Sequence, residues 1–259
     1  MATRPQEAAQ RDVRVPAKSK NGKPQQDIVN KESLRRLYAI VLKSRGAKSG
    51  GRKTVVDAAA TIELTNDDAV ASESGGFSVE QHAAGNSAGP MMVPQLAAGA
   101  SLLSIAAGVA LGKKSDGKQG VVVALATAES LARGASFEAM NYASAHKLPL
   151  VIVVDNVGDA TRPTHPDAVG MEHPRRPEFL TIAQAHGVPA FLVDGEDAVA
   201  VYRVAREAIH RARSGRGPSL VECRAFDSQE DPLRHLESYL EKHGLWTPEW
   251  KRELSRAGM

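Results

Sequence analysis

From residue 120 onward, continuous apolar runs of strand length alternate with helical stretches, and this alternation constrains the fold more than any other feature of the chain. Val121–Ala126 (VVVALA), Leu150–Val154 (LVIVV), Ala190–Val193 and Leu220–Arg224 are the strand candidates. Helical stretches lie between them at Ala135–His146, from Glu178 to about His186, and at Ala198–Arg213. A strand that is apolar at every position has no solvent face, so both of its sides must be covered. Joining such strands through helices gives a parallel sheet. The expected fold class is therefore α/β, a parallel sheet flanked by helices.

The flanks read as helical extensions. Ser33–Arg45 places apolar residues at Leu34, Leu37, Tyr38, Val41 and Leu42, which is helical spacing with basic residues opposite. Val55–Leu64 is a second helix candidate, ended by the turn-forming Asn66-Asp67-Asp68. Ser72–Pro90 lacks periodicity and reads as a loop, and Leu233–His243 and Pro248–Ser255 read as C-terminal helices. The uncharged run Leu96–Leu111 is the one membrane candidate. As a helix it spans about 24 Å, short of a hydrocarbon core of about 30 Å. Its Ala, Gly and Ser content suits close packing, so we expect a buried helix and no membrane insertion.

Charge and cysteine content narrow the classes further. The net charge is +3 over 259 residues, and residues 1–30 carry it: six Lys and Arg against Glu7, Asp12 and Asp27. The remainder is neutral. Residues 1–30, rich in Pro, Gln and Lys, are expected to be a disordered basic tail, with one α/β domain over 31–259. Aromatics make up 4% of the chain, too few for a stacking platform, so no nucleic-acid partner is expected. A single cysteine excludes a disulfide framework and fits a reducing, cytoplasmic setting, and no leader pattern is visible. Cys223 lies inside a strand candidate and reads as a small core residue.

In an open parallel sheet, ligands bind beyond the carboxyl ends of the strands. Thr127–Gly134, Asp155–Pro166 and Asp194–Asp197 are the loops placed there. The chain contains no G-x-G-x-x-G and no G-x-x-x-x-G-K-[ST]. Within these segments Ala124–Asn156 (ALATAESLARGASFEAMNYASAHKLPLVIVVDN) resembles the cofactor segment of the alpha subunits of thiamine-diphosphate-dependent 2-oxoacid dehydrogenases. These are the decarboxylating first components of the pyruvate, branched-chain and acetoin systems. Asp194–Glu222 is similar to that family again, as are the run from Asp231 (DPLRHLESYLEKHGLW) and VPQLAAGASLLSIAAGVALG, which starts at Val93. The resemblance covers about residues 33–257. It implies a thiamine-diphosphate-binding fold, a beta-subunit partner, and thiamine diphosphate with magnesium bound at the subunit interface. The reaction it implies is oxidative decarboxylation of a 2-oxoacid with acyl transfer to a lipoyl carrier.

The departures from the family pattern cluster in one place. Where the family's first strand ends in Gly-Asp-Gly, this chain reads Thr127-Ala128-Glu129, with Ala128 at the metal-binding Asp. Where its second strand ends in Glu-Asn-Asn, this chain reads Asp155-Asn156-Val157, with Val157 at the second ligand. The His-Arg-Gly-His loop is replaced by Ala71–Gly76 (ASESGG), a deletion lies between Gly76 and Val93, and Phe226–Glu230 crosses the place of a Gly-His-Ser loop. Magnesium takes near-octahedral oxygen coordination, and Ala and Val supply no side-chain oxygen.

The remaining polar candidates are Glu129 and Asn156, as shifted metal and cofactor ligands, and Ser130, near a helix start where a phosphate could sit. The plainer alternatives are an exposed or capping carboxylate at Glu129, a turn residue at Asn156 and a cap at Ser130. His165, His173, Arg162, Arg175 and Arg176 crowd a Pro-rich loop that suits an anion or plain solvent. His210, Arg211 and Arg213 suit a helix C-terminus, and Glu196 and Asp197 a helix N-terminus. Three functional readings stay open. The chain is a divergent working alpha-like subunit, a non-catalytic paralogue that keeps fold and interface, self-association included, or an unrelated small-ligand module.

Overall fold

The computed structural model describes residues 30–46, 52–73, 89–93, 101–117, 119–156, 178–224, 231–250 and 252. Its centre is a six-stranded, wholly parallel sheet in the order β2-β1-β3-β4-β6-β5. The strands are β1 (Ala69–Ser72), β2 (Met91–Met92), β3 (Val122–Thr127), β4 (Leu150–Asn156), β5 (Ala190–Asp194) and β6 (Ser219–Arg224). The helices are α1 (Lys31–Gly46), α2 (Arg52–Thr61), α3 (Leu102–Ser115), α4 (Ala128–Leu131), α5 (Gly134–Ala145), α6 (Phe179–Ala185), α7 (Ala198–Arg213) and α8 (Pro232–Lys242). The expected α/β class, with helical flanks on both sides of the sheet region, is the observed one.

Alternate residues of the buried strands serve two cores. Val121, Val123, Leu125, Val151, Val153, Val221 and Cys223 face α1, α2, α7 and α8. Val122, Ala124, Ala126, Ile152, Val154 and Leu220 face α3, α5 and α6. This double burial is why the strands read as unbroken apolar runs. On α3 the small residues Ala106, Ala107 and Ala110 are the buried ones, and they meet the small Ala124 and Ala126 of β3. On α8, Leu233, Leu236 and Leu240 fall at helical spacing and close the first core over α1.

Four expectations change. Two strands, β1 and β2, were not legible: one is four small residues and the other is two residues long, below the length at which a run stands out. Ser72, expected to open a loop, ends β1, and residues 74–88 of that loop lie outside the described residues. Of the helix expected over Leu96–Leu111, residues 96–100 lie outside the described residues, and the described part is helical from Leu102 and continues to Ser115. Ser101 caps it by accepting the Ser104 amide at 3.3 Å, while Lys113 and Lys114 extend its last turn. Asn156, weighed as a turn residue, is the last residue of β4 and is buried, because it pairs with Arg224 of β6. Of the Pro248–Ser255 helix, 248–250 and 252 are helical and the rest lies outside the described residues, as does the tail before residue 30.

The amino ends of the strands are fastened by Asp68. Its fully buried carboxylate accepts the amide and hydroxyl of Thr65 at 2.8 and 2.9 Å and the amide of Val121 at 2.8 Å. Arg213, in the last turn of α7, donates to it at 2.9 Å and to the Gln119 carbonyl at 2.9 Å. Burial works against ionisation there, but Arg213 and the Thr65 and Val121 amides hold the Asp68 carboxyl below the usual carboxylate range. Gly120 completes the joint: a Cβ there would lie 2.1 Å from the Asp67 carbonyl oxygen, so no other residue fits without moving the turn. Asp68→Ala should therefore lower the unfolding free energy by about 3–5 kcal/mol, the usual cost of breaking a buried charge pair. Urea unfolding measures it, and a loss under about 1 kcal/mol would remove the pair from this role.

Candidate functional site

The chain leaves β1 towards one edge of the sheet and β3 towards the other, so the switch in strand order falls between them. The crevice beyond the carboxyl ends of the strands at such a switch is the ordinary ligand site of an open α/β sheet. Four strand ends meet there: Ser72 with Glu73, Thr127 with Ala128, Asp155 with Asn156, and Glu222 with Arg224.

At the end of β3, Thr127 is fully engaged. Its hydroxyl donates to Glu73 Oε2 at 2.9 Å, and its amide reaches the same oxygen at 3.4 Å. The hydroxyl oxygen also accepts the Ser130 amide at 3.2 Å, which makes Thr127 the cap of the short α4. Ser130, considered above as a cap or phosphate ligand, instead occupies the last turn of α4. Its hydroxyl donates back to the Thr127 carbonyl at 3.2 Å, and it is buried. Its own carbonyl accepts from Ser136 Oγ at 2.9 Å, tying α4 to the start of α5. Ala128 follows Thr127 with no polar side-chain atom, and Glu129 is exposed.

At the end of β4, Asn156 Nδ2 donates to Glu222 Oε1 at 2.8 Å, and Arg224 Nε donates to the same oxygen at 2.7 Å. Glu222 is fully buried, and its Oε2 has no hydrogen-bond partner among the described residues. Asp155 points to the opposite face, towards Asp57 of α2. Burial pushes the Asp57 carboxyl up to about 6; Lys53, whose ammonium lies 3.2 Å away, opposes the rise, and the Asp155 charge adds to it. Among the described residues, no group of three or more His, Cys, Asp and Glu is placed to hold a metal ion.

The three candidates from the sequence are therefore not brought together: Ser130 turns to Thr127, Asn156 to Glu222, and Glu129 to solvent. Val157, His165, His173, Arg162, Arg175 and Arg176 lie outside the described residues. Sequence reasoning missed Glu73, Asp57, Glu222 and Arg224. A signal existed for two of them, since Asp57 and Glu222 are lone charges inside the apolar runs VVDAAA and LVEC. Asp197 caps α7 as expected, accepting the amides of Val199 and Ala200 at 2.9 and 3.0 Å. Cys223 is buried in the core, and Arg213 does more than answer the helix dipole, through its pair with Asp68.

The sequence profile of the dehydrogenase E1 component family matches residues 59–227, the stretch that holds all six strand segments and every strand end of the crevice. The chain belongs to that family. Pyruvate dehydrogenase E1 component alpha subunits of Staphylococcus aureus and Staphylococcus epidermidis are each 29% identical to it, across 62% of this chain and 48% of theirs. This member of the E1 family thus spans about half the length of the curated relatives it matches. A solved structure from Mycobacterium smegmatis, assigned as a thiamin diphosphate-dependent enzyme, overlays with a TM-score of 0.50 at 22% identity. The overlay covers 69% of this chain and 31% of that one, a likeness of fold. No helix of the described residues is long and apolar enough to cross a membrane.

Asp57 gives the site a pH signature. A carboxyl raised in the folded state is protonated there while the unfolded chain is already ionised, so stability falls as pH rises from about 4 to about 6. Asp57→Asn should flatten that slope in a pH series of thermal melts and recover on the order of 2–3 kcal/mol at pH 7. An unchanged slope would show that Asp57 titrates alike in both states.

Proposed function

We propose that this chain is the alpha-like subunit of a 2-oxoacid dehydrogenase E1 assembly, one that contributes fold and interface but not magnesium ligands. The reaction of such an assembly is oxidative decarboxylation of a 2-oxoacid with transfer of the acyl group to a lipoyl carrier. Family membership over 59–227 supports the subunit class. The donor set at the two strand ends carries the rest. A magnesium diphosphate needs several oxygen ligands in near-octahedral array. Ala128 offers none, the Thr127 hydroxyl is committed to Glu73, and Asn156 turns its amide nitrogen to Glu222. These residues do not fit thiamine diphosphate with its magnesium. Any decarboxylation by the assembly then falls to groups on the beta-type subunit. If that subunit supplies none, this chain is a structural or regulatory paralogue without cofactor, a reading the Glu73–Thr127 bond favours.

The proposal takes residues 1–30 as a separate basic leader, 31–259 as the E1-like domain, and the cytoplasm as its location. Its test is co-expression with the beta-type E1 chain of the same organism, followed by size-exclusion chromatography and decarboxylation assays with pyruvate and branched-chain 2-oxoacids. The two chains should co-elute, and activity should not exceed that of the beta-type chain alone. Failure to co-elute sinks the subunit assignment. Decarboxylation that appears on mixing and disappears with Asn156→Ala sinks the claim that this chain supplies no ligands.

A further inference from the structure

We propose that Glu73 is a built-in occupant of the anion position at the switch point, so that this crevice excludes a diphosphate. The inference deepens the reading of the strand ends as a degraded diphosphate site and names the residue that closes it. Glu73 is the first residue after β1, next to β3 in the sheet. One of its carboxylate oxygens takes both donors that β3 offers at its carboxyl end, the hydroxyl of Thr127 at 2.9 Å and its amide at 3.4 Å. An arriving anion would need those same donors. It would also meet a negative charge on a half-buried side chain, where water screens poorly.

The Thr127 hydroxyl oxygen is held in place. It caps α4 through the Ser130 amide at 3.2 Å, the Thr127 carbonyl accepts the Ser130 hydroxyl at 3.2 Å, and the Ser130 carbonyl accepts Ser136 Oγ at 2.9 Å. The Glu73 bond is therefore held from both sides, by the β1–β3 register and by the α4–α5 turn. A carboxylate placed this way accepts what a phosphate oxygen would accept, and it is covalently present at all times. It competes with any arriving anion as an intramolecular ligand.

The test uses the full chain alone and inorganic pyrophosphate as the probe, by calorimetry, once without metal and once with magnesium. Glu73→Gln removes the charge and keeps an acceptor for Thr127; Glu73→Ala removes both. Wild type should give no saturable binding in the millimolar range, and both variants should bind at least about tenfold tighter than wild type, a step of about 1.4 kcal/mol. Glu129→Gln, which removes an exposed carboxylate from the same rim, should stay like wild type. Micromolar binding by wild type overturns the proposal, as does no gain in a folded Glu73→Gln or an equal gain in Glu129→Gln. A measurement that needs no variant guards against misfolding: the Thr127 amide resonance of wild type should not move as pyrophosphate is added, and a saturable shift would also overturn the idea. No partner subunit is involved, so failure here leaves the subunit assignment standing, and failure to co-elute with a beta-type chain leaves this result standing.

Discussion

The buried Asp68 carboxylate is the constraint on which the rest of the molecule depends. It joins the turn before β1, the start of β3 and the last turn of α7, three segments that the chain order keeps far apart. Because the joint sits at the amino ends of the strands, it fixes the register in which β1 and β3 lie side by side. That register sets which residues emerge at the carboxyl ends. In a parallel sheet a slip of one residue would exchange the two cores and turn every strand-end side chain to the other face. The joint and the crevice are thus at opposite ends of the same strands, and the first determines the second.

This separation means that the family fold is held independently of the strand-end side chains. The sheet is held by apolar residues buried on both faces and by the Asp68 joint, none of which uses a strand-end side chain. Ala128 costs the sheet nothing, since Thr127 caps α4 and Ser130 locks it. At the neighbouring strand end, Glu222 is buried in a place where an unpaired charge would be expensive, and Asn156 and Arg224 satisfy one of its oxygens. Thr127 is thus engaged with Glu73, and Asn156 and Arg224 with Glu222.

The sequence made the sheet legible through β3, β4, β5 and β6, because strands covered on both sides leave unbroken apolar runs. It did not reveal β1 and β2, which are short and rich in small residues or methionine. At the site the family resemblance set Ala128 against the position of the family's carboxylate, an expectation drawn from one segment. It did not show what Thr127 and Asn156 would touch. Those partners, Glu73 and Glu222, lie 54 and 66 residues away in the chain and become neighbours only through cross-strand register. Lone charges inside apolar runs, Asp57 and Glu222, were the visible trace of that buried polar layer.

We propose that the strand ends of this E1 family member hold no metal diphosphate. Calorimetric titration with thiamine diphosphate and magnesium, on the chain alone and on its complex with a beta-type chain, tests it most directly. The expected result is no saturable binding by the chain alone, and no binding by the complex that Glu129→Ala or Asn156→Ala weakens. Micromolar binding that either substitution abolishes would contradict it.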